Sequence, residues 1–375
     1  MQFSQIPGKE VVKKQIFNQI HSGKIPHASI FLGGEGSGNL TMAMALATYL
    51  VCQSPTENDS CGTCNACLKM SKWIHPDVHF AFPVIKKGTL SRAETTSDDF
   101  IKEWREFLQK YPYGNISDWL QMLDAGTTQP NINVKECQEI VRKLNMMSFE
   151  SGKKILIVWL PEYLGHEGNR LLKLIEEPTD DTYIFFIAHN QDAILQTIIS
   201  RCQVTRIPLF DHEEISETLK KQFELSNEEI DQITTLSNGN INTALAMAKN
   251  ELKDYSQILI DWLRTNYRSD YGEMMKSVNQ IAGMSKENLT NFFDYGLHFL
   301  RQILMMKYYD EDQVAQIPEK DKATIKKMGA LINVEKASQL SDLFSEAMEG
   351  VSRNMNMKIL LFADSIKISE ILRKP

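Results

Sequence analysis

The sequence predicts an α/β domain of P-loop type, a parallel sheet flanked by helices, followed by a small helical segment and an all-helical C-terminal part. Three observations carry this prediction. The apolar run Ala28–Leu32 leads directly into a glycine-rich loop and then a helical stretch. Two later runs, 154–158 and 183–188, are almost continuously apolar, as strands buried on both faces must be. From residue 254 onward the apolar residues recur at helical spacing, as in NFFDYGLHFLRQILMMKYY.

Taken in order, residues 9–22 read as an amphipathic helix and Ala28-Ser29-Ile30-Phe31-Leu32 as a buried strand. The loop that follows, Gly33-Gly34-Glu35-Gly36-Ser37-Gly38-Asn39-Leu40, precedes the helical stretch TMAMALATYLV. A strand, a glycine loop and a helix start is the setting in which free N–H groups cradle a phosphate. Gly33 and Gly38 take the glycine positions of G-x-x-x-x-G-K-[ST], with Gly36 between them. The two chemical positions differ. Asn39 stands where a Lys would reach the β- and γ-phosphates, and Leu40 where a hydroxyl would hold Mg2+. Hydrolysis is therefore not expected of this loop.

Four of the six cysteines, Cys52, Cys61, Cys64 and Cys67, fall within 16 residues at spacing C-x8-C-x2-C-x2-C. In a reducing compartment such a cluster favours a metal over disulfides, and four thiolates suit tetrahedral Zn2+. A complete thiolate shell leaves no open position, so the zinc module at 52–67 is expected to be structural. His75 and His79 lie downstream as less favoured substitute ligands. Residues 85–130 contain two helical patterns, one through Phe100, Trp104, Phe107 and Leu108 and one through Trp119, Leu120 and Leu123. They suggest a helical hairpin laid on the domain surface, or a docking surface that could be deleted without loss of folding.

The strand at 154–158 continues into Trp159-Leu160-Pro161-Glu162, where a hydrolytic P-loop fold would carry metal-binding acids. Glu162 is out of register and reads as a solvated turn residue. After the strand at 183–188, His189 and Asn190 occupy a loop, and Ser200-Arg201-Cys202 follows. Pro208 opens a helical segment running to about residue 253.

Composition limits the functions available. The chain has 375 residues, 42% hydrophobic and 24% charged, enough for two or three packed domains. Its 41 Lys and Arg against 48 Asp and Glu leave a formal charge of −7, which argues against gripping nucleic acid unaided. No run of 18 apolar residues appears, and the opening MQFSQIPGKEVVKK lacks the apolar core of a signal peptide. A soluble, cytoplasmic protein without a membrane partner is expected.

Several of these segments together carry a resemblance. IPGKE, IPHASIFLGG, the cysteine insertion followed by His75-Pro76-Asp77, LLKLIEEP and SRC make the chain similar to the bacterial clamp-loader subunits of the AAA+ superfamily. The loss of the P-loop Lys and of the acidic strand end makes it most similar to the delta-prime branch. That resemblance implies a AAA+ domain over 1–207, a helical lid over 208–253 and a helical collar over 254–375. It also implies that Arg201 projects in trans towards ATP held by a neighbouring subunit. The strand end at His189-Asn190 matches the first sensor, and Asn242 stands where active members carry a second-sensor Arg. With these positions altered, tight ATP binding is not expected. The implied role is a subunit without independent activity in the DNA polymerase III holoenzyme, a DNA-directed DNA polymerase. Its implied partners are gamma/tau and delta subunits in a hetero-oligomeric ring, with the sliding clamp and primed DNA reached through the complex. Two alternatives stay open: a gamma/tau-like ATPase with a divergent P-loop, and a zinc-bearing AAA+ adaptor outside replication.

Overall fold

The computed structural model describes residues 1–126, 128–249, 255–284, 286–308, 327–353 and 355–374. Its sheet has five parallel strands: β1 (Ala28–Leu32), β2 (Val78–Ala81), β3 (Lys154–Trp159), β4 (Thr182–Ala188) and β5 (Gln203–Arg206). They lie in the order β2-β3-β4-β1-β5. β1 pairs Ala28 with Ile184 and Leu32 with Ala188 on one side, and Ser29 with Gln203 on the other. The three apolar runs read from the sequence are thus the three inner strands, whose central position demands apolar side chains on both faces. The edge strands β2 and β5 are shorter, and β5 is polar on three of its four residues. β5 carries too little apolar signal to be read from the sequence, and β2, although apolar at three of its four residues, is too short to stand out.

Alternation along the inner strands divides the core. Phe31, Ile155, Ile157, Trp159, Phe185 and Ile187 point to one face. Ile30, Leu32, Leu156, Val158, Ile184 and Phe186 point to the other. On the first face lie α1 (Glu10–His21) and α2 (Asn39–Val51), the latter buried at every residue but Tyr49. Its small side chains Ala43, Ala45 and Ala47 are all fully buried. The second face is covered by α6 (Val134–Leu144), α7 (Leu172–Glu176) and α8 (Gln196–Ile199). The short α3 (Asn65–Ser71) follows the cysteine cluster.

The segment at 85–130 does form two helices, α4 (Ile101–Lys110) and α5 (Ile116–Met122). It is not laid over a finished surface. Trp104, Phe107 and Trp119 are fully buried in the first-face core. Trp104 stacks on Phe82 at 4.2 Å between centroids and meets Trp159 of β3 at 5.0 Å. Removing 88–128 would take these aromatics out of the core, so the expectation of a dispensable hairpin is corrected.

The chain forms two compact units, one of Met1–Thr218 with Gly239–Thr243 and one of Leu219–Asn238 with Ala244–Pro375. Helices α9 (His212–Gln222), α10 (Asn227–Ser237) and α11 (Ile241–Ala248) lead towards the C-terminal part. The second unit has its own core of α12 (Tyr255–Arg268), α13 (Tyr271–Ala282), α14 (Lys286–Tyr308), α15 (Val334–Ser352) and α16 (Met357–Arg373). Trp262 at its centre stacks near Phe344, and its indole N–H donates to Ser365 Oγ at 2.9 Å. The boundary expected at 253/254 lies outside the described residues.

Candidate functional site

The cysteine cluster closes from three backbone turns. Cys61 N–H donates to Cys52 Sγ at 3.3 Å, Cys64 N–H to Cys61 Sγ at 3.3 Å and Cys67 N–H to Cys64 Sγ at 3.4 Å. The four sulfurs lie within 4.8 Å of one another, with Cys52 and Cys61 3.5 Å apart. That is too long for an S–S bond of about 2.05 Å. It suits a tetrahedron around zinc, whose edges are roughly 3.8 Å for Zn–S of about 2.3 Å. N–H groups of Thr63 and Cys64 hold the Cys61 thiol down at about 6, the direction that favours a thiolate. The four cysteines can hold a metal such as zinc. The cluster also anchors the start of the chain: Asp59 accepts from the N–H groups of Phe3 and Ser4, and Gln2 Nε2 donates to Ser60 O.

The glycine loop leaves β1 at the carboxyl edge of the sheet, where ligands of open α/β folds bind. Gly36 has φ 69° and Gly38 φ 84°, and a Cβ on Gly36 would lie 1.9 Å from Asn240 Oδ1. Only glycine fits there. Gly38 is the cap of α2, so the loop keeps the backbone form of a phosphate cradle. The side chains do not serve one. Asn39 turns inward: its Nδ2 donates to Gly33 O at 3.1 Å and to Ala188 O at 3.0 Å, tying the ends of β1 and β4. Its Oδ1 accepts from Leu40 N–H at 2.8 Å, one of the helix-start donors a phosphate would take. Leu40 is buried.

Two other segments close over the loop. Phe210 lies 3.2 Å from where a Gly38 Cβ would be, with Lys9 Nζ 3.9 Å from its ring centroid. Lys9 also donates to Pro208 O at 2.6 Å and pairs with Glu214 at 3.6 Å. From the insertion, Tyr113 meets the Phe210 ring edge-on at 5.8 Å. Asn115 Nδ2 donates to Glu35 Oε2 at 3.1 Å. Asp118 Oδ2 accepts from Asn242 Nδ2 at 2.8 Å. The Asn-x-x-Asp capping box that starts α5 is legible in the sequence. Its partners 80 and 124 residues away are not.

At the end of β3, Glu162 is a structural acceptor rather than a solvated turn residue. Its Oε1 takes the N–H groups of His189 at 2.6 Å and Asn190 at 2.9 Å. Burial pushes its carboxyl up and the His189 imidazole down to about 4. Asn190 Oδ1 accepts from Asp192 N–H at 2.9 Å, capping the turn. His75 and His79 are outside the cysteine cluster.

Arg201 follows α8. Its Nε donates to Glu176 Oε1 at 2.5 Å, and its Nη1 to Thr197 O at 3.0 Å and Ser200 Oγ at 3.2 Å. The side chain is 36% exposed. It stands apart from the glycine loop's own contacts, on the outside of the unit.

Comparison with known proteins gives consistent relatives. The chain is 23% identical over 304 residues to the DNA polymerase III subunit delta' of Escherichia coli (strain K12), covering 80% of this chain and 75% of that protein. It is 26% identical over 257 residues to the DNA polymerase III subunit gamma of Buchnera aphidicola subsp. Acyrthosiphon pisum, covering 67% of this chain and 58% of the relative. A solved gamma subunit-related protein from Thermotoga maritima aligns with 96% of this chain and 99% of its own, at 15% identity and a TM-score of 0.39. No helix among the described residues is long and apolar enough to cross a membrane. Residues 8–211, more than half of the sequence, match the family described as DNA polymerase III, delta subunit, and the chain belongs to that family of clamp-loader subunits.

Proposed function

We propose that this chain is the delta-prime-like member of its clamp loader, a non-hydrolysing subunit that supports the ring and supplies Arg201 to ATP bound by an adjacent subunit. One observation carries the first half. Asn39, at the position of the phosphate-binding Lys, has its amide occupied by the carbonyls of Gly33 and Ala188. A triphosphate of about four negative charges would meet no cation from this loop. Leu40 offers no Mg2+ ligand, and no carboxylate stands in register at the end of β3. Residues 33, 36, 38 and 39 are on this reading a retained scaffold.

The second half rests on chemistry and on likeness to the family. A guanidinium stabilises charge on a transferring phosphoryl group, and such fingers contribute roughly 10^3 to 10^5 in rate. The pair with Glu176 is solvent-exposed, and exposed pairs are worth about 0–1 kcal/mol, so a phosphate can replace the carboxylate at small cost. The cysteine cluster would hold structural Zn2+ through Cys52, Cys61, Cys64 and Cys67. The partners on this reading are gamma/tau and delta subunits, with the sliding clamp and primed DNA met through the assembled ring. The three-part division at 207 and 253 belongs to the same proposal.

The test is reconstitution with gamma/tau and delta subunits. Arg201→Ala should leave assembly and Tm unchanged while the ATP site facing it loses roughly 10^3 in rate, seen as a fall in DNA-stimulated turnover by that site's share. Unchanged turnover would sink the finger role. The match to gamma subunits favours one rival, a divergent ATPase, and turnover by the isolated chain would support it.

A further inference from the structure

We infer that the turn Tyr113–Asp118 of the insertion is a built-in occupant of the nucleotide crevice, so that the crevice is filled by the chain itself. The inference rests on reading residues 33–40 as a retained, inactive nucleotide loop, and it assigns the insertion its role there. Every residue involved belongs to the first compact unit.

Three contacts place the turn. The Tyr113 ring meets Phe210 edge-on, and Phe210 in turn lies against Lys9 Nζ and Gly38 and donates its N–H to Gly239 O at 3.0 Å. Asn115 reaches Glu35 inside the glycine loop. Asp118 reaches Asn242, with Asn240 of the same short segment lying against Gly36. The turn therefore bonds to both walls of the crevice, the loop at 33–38 and the segment at 239–243. A ligand seated on the loop would have to break these bonds first.

Charge argues in the same direction. The turn brings Asp118 to a loop that already carries Glu35, and the nearby cation, Lys9, is engaged by Glu214 and Phe210. Carboxylates at this position repel a polyphosphate, and burial together with Asp118 already pushes the Glu35 carboxyl up, although its bond to the Asn115 amide opposes that shift.

The turn is also held from behind. Trp119, one residue on, is fully buried and donates to Pro83 O at 2.8 Å, and Phe107 is equally buried. A Cβ on Gly114 would lie 2.7 Å from Tyr111 and 2.8 Å from the Phe107 ring, so the backbone at this point is pressed onto the core. A segment fixed by core aromatics is a permanent filling and not a lid that opens on binding. The closed arrangement of loop and 239–243 is consequently independent of nucleotide.

The experiment uses the full chain and hydrogen–deuterium exchange, with Mg-ATP as the probe. In the unmodified protein, amides of 33–42 and 239–243 should exchange slowly and gain no protection from 1 mM Mg-ATP. Tyr113→Ala with Asp118→Ala should speed exchange in both segments by about tenfold or more. Asp118 also caps α5, so a second variant, Glu35→Ala with Asn242→Ala, breaks the same bonds from the opposite walls and should give the same result. Unchanged exchange in the Glu35/Asn242 variant would overturn the inference, as would protection of the unmodified crevice by Mg-ATP. Turnover of ATP by the isolated chain would instead overturn the non-hydrolysing reading, so the two failures are separable.

Discussion

Asn39 and Ala188, 149 residues apart, are joined by a 3.0 Å hydrogen bond that links the first turn of α2 to the end of β4. The same amide also holds Gly33 O. A residue in the position of a catalytic cation has become a fastener between two strands.

Asn39→Ala should therefore act on stability and leave chemistry alone. It leaves the carbonyls of Gly33 and Ala188 buried without this donor, a loss of about 1–3 kcal/mol. Thermal unfolding should show the fall in Tm, while the ATPase of a reconstituted loader at saturating subunit stays unchanged.

Zinc removal should loosen more than the knuckle. Native mass spectrometry is expected to find one zinc per chain, and Cys61→Ala or chelation to remove it. Asp59 and Ser60 hold Gln2, Phe3 and Ser4, so limited proteolysis should then cut near both the first residues and 52–67. Retention of N-terminal protection in the zinc-free protein would contradict this coupling.

Trp119→Ala should be among the most costly single substitutions, at about 3–5 kcal/mol, because a fully buried indole leaves a cavity and frees Pro83 O. Deleting 88–128 should give an insoluble or unfolded chain. A soluble deletion product with the unmodified Tm would disprove the core role of the insertion.

Glu136 gives a pH dependence. It is buried on α6, accepts from Ser97 N–H, and faces Lys143 and Asp98; burial pushes its carboxyl up to about 7. The folded state thus binds a proton more tightly than the unfolded chain, so its contribution is present below about 4.5 and is lost as pH rises to about 7. Relative to Glu136→Gln, the unmodified protein should lose on the order of 3 kcal/mol over that interval. Denaturant titrations at pH 5 and pH 8 check it; parallel curves for the two proteins would refute it.

How much was legible follows from how far apart the interacting residues are. The three inner strands and the cysteine cluster announce themselves because the evidence is local: continuous apolar runs, and four thiols within 16 residues. Strand β5 is not legible because its edge position leaves it polar at three of four residues, whereas β2, apolar at Val78, Phe80 and Ala81, is too short to stand out as a run. Glu162 was misread because its partners His189 and Asn190 come from the next strand's end. The aromatic spacing at 100–123 showed helices correctly, but periodicity names an apolar face without naming what covers it.

The sequence alone determined the chemistry that is absent: no Lys at 39, no hydroxyl at 40, no acid in register after β3. Those are single positions in a local frame, and a missing functional group cannot be restored by folding. Only the tertiary structure decided what stands in its place. The inward turn of Asn39, the pairing of Arg201 with Glu176, and the approach of Tyr113, Asn115 and Asp118 to the glycine loop depend on contacts closed over 25 to 149 residues. Such contacts form only when buried aromatics on the insertion and buried strands in the sheet have fixed both partners, and no local pattern encodes that meeting.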